Sequence, residues 1–222
     1  MLKSRYFAIR RSRFVALAFA LCVNAMLVNH AHSQSNPNNC GPIANGYGPF
    51  DYRTQRDQLK IVEDFHFKPE VEALIRGSTG TLAGDIAYTL HASPNHHRAL
   101  IALVRLGEKL KTTQPEGLIR PVECYFDRAI RFAPNDTVVR ILYAQFLAKD
   151  RRTNESLQQL DVAVVQAKDN AFSHYNIGLA YFDLGQFSKA LAQAHRAAAL
   201  GFERTELADR LKRANKWQAP VN

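Results

Sequence analysis

From about Phe67 onward, apolar positions return every three or four residues and never alternate as in a strand, so the pattern predicts helix after helix and an all-α fold. FKPEVEALIRG (67–77) predicts a short helix with Pro69 in its first turn and Gly77 at its end. TLAGDIAYTLHA (81–92) predicts another, weakened by Gly84 in its interior. RTELADRLKRANKW (204–217) predicts an amphipathic last helix with Leu207, Leu211 and Ala214 facing inward. Ahead of Phe67 the pattern fails. Residues 34–66 read as irregular, and the Gly and Pro of CGPIANGYGPFDYRT (40–54) predict a folded loop whose Phe50 and Tyr52 pack on the helices.

The helical pattern also repeats. In AFSHYNIGLAYFDLGQFSKALAQAHRAAALGF (171–202), Gly178 and Ala190 let two antiparallel helices approach closely, Tyr181 and Phe187 fill the gap, and Gly185 ends the first helix. Stepping back 34 residues from Gly178, Ala190 and Ala197 reaches Ala144, Ser156 and Ala163, all small. One unit earlier, VECYFDRAIRFAPND places Phe126, Ala129 and Pro134 at matching offsets. SPNHHRALIAL (93–103) parallels APNDTVVRILY (133–143) at a spacing of 40, and the loop KLKTTQPEG (109–117) accounts for the surplus. His96 and His97 then stand where Asp136 and Thr137 stand later, in the first turn of a helix.

With Ile177-Gly178, Tyr181, Gly185, Phe187, Ala190 and Ala197 in these places, residues 81–202 resemble the tetratricopeptide repeat family. The resemblance implies an α-solenoid of antiparallel helix pairs: a degenerate repeat over 67–94 with Thr89 at its small position, repeats over 95–202, and a capping helix and tail over 203–222. The order of GPFDYR, FHFKPEVEALI, PNHHRAL and ECYFDRAIRFAP also resembles a group of exported bacterial proteins of unassigned role. Family likeness further implies a concave groove, lined by Arg98, Ile101, Arg105 and Lys109, then Val138, Ile141, Gln145 and Lys149, then Phe172, Tyr175, Asn176, Leu179 and Asp183. Such a groove would be apolar at one end and basic at the other. It would serve a scaffold or adaptor that holds a protein or peptide partner. Asn176 with Arg105, Lys109 and Lys149 would grip a carboxylate on that partner.

Charge enters once the N-terminus is read. MLKSRYFAIRRSR holds five basic and no acidic residues, the apolar run Phe14 to Val28 follows, and small residues stand at Ala31 and Ser33. This is the pattern of a secretory signal peptide over 1–33, cleaved near Ser33, and it predicts a periplasmic or secreted protein. The run is short and carries Asn24, so no stable membrane insertion is expected after cleavage. Twin-arginine export fails because Phe14 falls one place too late, and lipidation of Cys22 fails because Leu21 is too large. Cleavage reduces the formal charge from +9 to a surplus of 24 basic over 20 acidic groups, with no basic run that would trace nucleic acid. Cys40 and Cys124 remain, and in an oxidising compartment they predict one disulfide closing a loop of 84 residues. Such a bridge contributes about 4–5 kcal/mol in the chain-entropy model. Two buried free thiols are the alternative.

No motif carries chemistry. G-x-S-x-G, H-E-x-x-H and phosphate-binding glycine loops are missing, so no enzyme activity, metal or cofactor is expected. The alternative, a metal, haem or catalytic centre, would use Asp85, His91, His96 and His97, with His66 near. Adjacent residues on a helix point about 100° apart, which argues against chelation by His96 and His97. A third reading is a structural part in an envelope assembly, made by the convex face or the N-terminal loop.

Overall fold

The computed structural model describes residues 40–220; the expected signal peptide and its cleavage near Ser33 lie outside them. Among the described residues the chain forms ten helices and no strand, as the all-α reading expects. They are α1 (Arg56–His66), α2 (Pro69–Glu72), α3 (Leu82–Ala92), α4 (His97–Leu110), α5 (Val122–Phe132), α6 (Thr137–Lys149), α7 (Thr153–Ala167), α8 (Ala171–Asp183), α9 (Phe187–Ala199) and α10 (Glu206–Arg213). Helices α6 and α7, and α8 and α9, pair across three-residue turns; α4 also touches α6, and α6 touches α8.

The repeated turns do one job. His96, Asp136 and Asn170 are the N-caps of α4, α6 and α8, each accepting a hydrogen bond from a backbone N–H of the following turn. The small residues spaced by 34 are all buried: Ala144, Ser156, Ala163, Ala190 and Ala197. Ser156 satisfies its hydroxyl by donating to the Ala144 carbonyl at 2.7 Å, so a polar residue replaces alanine without an orphaned group. At Gly178 a Cβ would overlap Leu207 Cδ2, which is why glycine stands where α10 closes over α8. One core cluster runs from Phe67 to Val139 and a second from Ile141 to Leu211, so α6 contributes to both. Each fully buried leucine in them contributes about 1.5–3 kcal/mol.

Two elements differ from the sequence reading. The stretch expected to be irregular, 34–66, contains α1, an eleven-residue helix that buries Leu59 and Val62 against α3. Its Ile61 and Phe65 stay exposed, so its apolar residues spread over two faces and hide the stripe. The helix expected over 67–77 is only four residues long, because Leu74 turns left-handed (φ 57°) and ends it before Gly77. At the other end Ala214 caps α10 and is half-buried, while Leu207 and Leu211 are buried as expected.

The N-terminal loop is a strap. Cys40 and Cys124 are joined by a disulfide (Sγ–Sγ 2.04 Å), tying its start to α5. Farther on, the Phe50 N–H donates to the Ala92 carbonyl at 2.8 Å, and buried Tyr52 packs its ring 4.1 Å from His96. Asn95 joins the pieces: its Oδ1 accepts from the Tyr52 N–H at 3.0 Å, and its Nδ2 donates to Asp51 at 2.8 Å and Asp136 at 2.9 Å. Arg53 reaches Asn135 Oδ1 at 3.1 Å. The GPFDYR stretch thus crosses both Pro-Asn turns.

Candidate functional site

The PNHH turn is structural in its geometry. His96 is fully buried, and its Nδ1 accepts from the Ala99 N–H at 3.1 Å, so Nε2 carries the proton and donates to Glu63 at 2.8 Å. Burial lowers the His96 pKa, opposed by its bond to Glu63. His97 Nε2 bonds Asp136 at 2.9 Å. Burial acts to raise the Asp136 pKa, but its bonds to His97 and Asn95 outweigh it and the net shift is downward. Asp85 pairs with neither. It accepts from Thr79 Oγ1 at 2.5 Å, the Ser78 N–H at 2.6 Å and His66 Nδ1 at 2.9 Å; burial opposes ionisation, and these bonds still bring its pKa down to about 2. His91 stacks on Tyr125 instead, with ring centroids 6.1 Å apart. Asp85, His91, His96 and His97 therefore sit in separate bonds, and among the described residues no group of three or more His, Cys, Asp or Glu is placed to hold a metal ion.

A hollow lies between α4, α6 and α8. It encloses about 650 Å³, within the range of pockets that hold ligands or side chains. Five of the residues expected in the groove line it: Ile101, Arg105, Gln145, Lys149 and Asp183. Its floor comes from Leu100, Val104, Phe126, Leu142, Phe146, Ala180 and Leu184, which the sequence reading did not name. The signal for Val104 was present, since Ile101, Val104 and Glu108 continue one helical stripe at three- and four-residue spacing. Arg105 and Gln145 are exposed on the rim, and among the described residues neither makes a side-chain hydrogen bond or ion pair.

The other expected residues lie elsewhere. Arg98 is drawn away by Glu72, which its Nε reaches at 2.8 Å, and Lys109 donates to the Leu74 carbonyl at 3.1 Å. Ile141 is buried in the core and Val138 is half-buried. Tyr175 is only 3% exposed, with its hydroxyl on Glu206 at 3.2 Å. Phe172 lies exposed against Phe202, and Leu179 packs on the second core. Asn176 donates to the Phe172 carbonyl at 2.8 Å, its own preceding turn. The carboxylate grip of Asn176, Arg105, Lys109 and Lys149 is therefore not assembled. Nor is one end of the hollow basic, because Lys149 pairs with Glu108 at 2.6 Å and Asp183 pairs with Arg210. Among the described residues that line it, Arg105 alone keeps a free charge.

Comparison of the chain with known protein families, with curated proteins and with solved structures finds no match.

Proposed function

We propose that this protein is an exported helical-repeat adaptor, of tetratricopeptide type, that holds a peptide or partner helix between α4, α6 and α8. The observation that carries this reading is the hollow itself: an apolar floor wide enough for one or two side chains, edged by an unpaired guanidinium and an unpaired amide. The occupant that fits is an amphipathic segment with its apolar face on Val104, Leu142 and Phe146 and an acidic or carboxylate group opposite Arg105. Repeats over 95–202 would supply the three lining helices, and the signal-peptide pattern of residues 1–33 supports a location in the periplasm or outside the cell. A photoreactive residue at Gln145, with one at exposed Val165 on α7 as control, tests the site in living cells. The partner cross-linked from Gln145 should bind purified protein, and Arg105→Glu or Ile101→Asp should weaken that binding at least tenfold with helicity unchanged. Equal cross-linking from both positions, or equal affinity in the variants, rejects the groove.

A second reading, contact through the N-terminal end, is favoured by Tyr47, Ile61, Phe65 and Tyr88, large side chains 40–57% exposed around a smaller hollow of about 300 Å³. Phe65→Ser would abolish partner binding in that case and leave it intact in the first.

A further inference from the structure

We propose that Arg120, Tyr125 and Arg128, beside the Cys40–Cys124 bridge, form a binding site for an oxyanion, a carboxylate or phosphate group. The groove has no part in it.

Arg128 is only 2% exposed, yet no carboxylate among the described residues pairs with it. Its Nη1 donates to the Pro42 carbonyl, and its buried Nε has no acceptor. Tyr125 is 1% exposed, and its buried hydroxyl has no partner either. A buried cation without counter-charge and a buried donor without acceptor are both costly, and here they are neighbours: Tyr125 and Arg128 stand three residues apart on one face of α5, and both guanidiniums reach the strap, Arg120 at Gly41 and Arg128 at the Pro42 carbonyl. Arg120 is half-exposed, makes no ion pair or hydrogen bond among the described residues, and lays its guanidinium against Gly41, where a Cβ would collide with it. His91 completes the wall, its pKa lowered to about 4 by burial and by the same two arginines.

Among the described residues no carboxylate supplies the missing charge. Asp127, whose charge reaches Arg128, is bridged to Arg131 at 2.8 Å, and Arg131 also donates to the Gly41 carbonyl. Residues 1–39 and 221–222 contain no Asp or Glu. In this proposal the counter-ion is an external oxyanion. Planar guanidinium forks match paired oxygens, and the phenol adds a further donor, so the group that fits is an oxyanion rather than a halide. Half-exposed Arg120 marks the side from which it enters.

Thermal unfolding and titration calorimetry of the purified, disulfide-bonded protein test this, with sodium phosphate, sodium acetate and an acidic peptide each compared with chloride at fixed ionic strength. At least one should bind saturably and raise the melting temperature. Arg120→Gln should weaken it about tenfold, the worth of one charged hydrogen bond. Tyr125→Phe removes a hydroxyl that bonds nothing in the free protein, so stability without ligand should hold or rise while affinity falls several-fold. Binding by phosphate alone identifies a phosphate site, and binding by acetate and peptide alone identifies a carboxylate site. No saturable binding by any of the three, or an unchanged affinity in both variants, overturns the proposal.

Discussion

Asn95 and Asn135 hold the same place in successive Pro-Asn turns, but Asn95 is fully buried and Asn135 is exposed. Asn95→Ala strips the Tyr52 N–H of its acceptor and removes donors from Asp51 and Asp136. An orphaned buried donor costs about 1–3 kcal/mol, and each hydrogen bond to a carboxylate contributes about 1.5–3 kcal/mol. The three contacts share one network and do not add. Asp136 also keeps His97 and the Val138 N–H, so its charge is not stranded. A net loss of about 3–5 kcal/mol follows. Asn135→Ala gives up only its exposed contact with Arg53 and should cost less than about 1 kcal/mol. Urea unfolding followed by far-ultraviolet circular dichroism measures both, as a shift of midpoint at constant slope. Equal shifts for the two alanines, or a loss below about 1 kcal/mol at Asn95, would show that the strap is not held through this side chain.

Two further outcomes are expected. Gly178→Ala gains about 1 kcal/mol of helix propensity, yet its Cβ meets Leu207 and lies 3.2 Å from Gln193 Cβ, so a net loss of about 1–2 kcal/mol should appear in the same assay; a stabilised variant refutes the close approach of α8 to α9 and α10. Burial depresses His91 from 6.5 to about 4 and lowers His96, so the unfolded chain takes up protons that the native state refuses. Stability from these groups is complete above 6.5 and is lost as pH falls toward about 4; a urea midpoint constant across that window contradicts it.

Helix order from α3 to α10 was legible because its signals are local: three- and four-residue spacing, small residues every 34 positions, and Pro-Asn turns that place His96 and Asp136 as equivalent caps. The Cys40–Cys124 bridge was legible from two remaining cysteines and the expectation of an oxidising compartment. Helix α1 was hidden because half of its apolar residues face solvent. The rim of the hollow was legible only in part, since helical spacing shows which face a residue shares but not which neighbour claims it. Glu72 takes Arg98, Leu74 takes Lys109 and Glu206 takes Tyr175, each from an element distant in the chain. Buried Arg128 gave no warning, because its isolation depends on which acids fold close to it.

The strap that links α5 to the turns ahead of α4 and α6 makes the two ends of the fold unequal. One end is locked by a covalent bridge and by Asn95, whereas α10 is pinned mainly through Leu207 and Leu211. Local opening should therefore be polarised: fraying is expected to start at the carboxyl-terminal side and work backward, so that α8, the lining helix nearest that side, exchanges its amide hydrogens before α4 does.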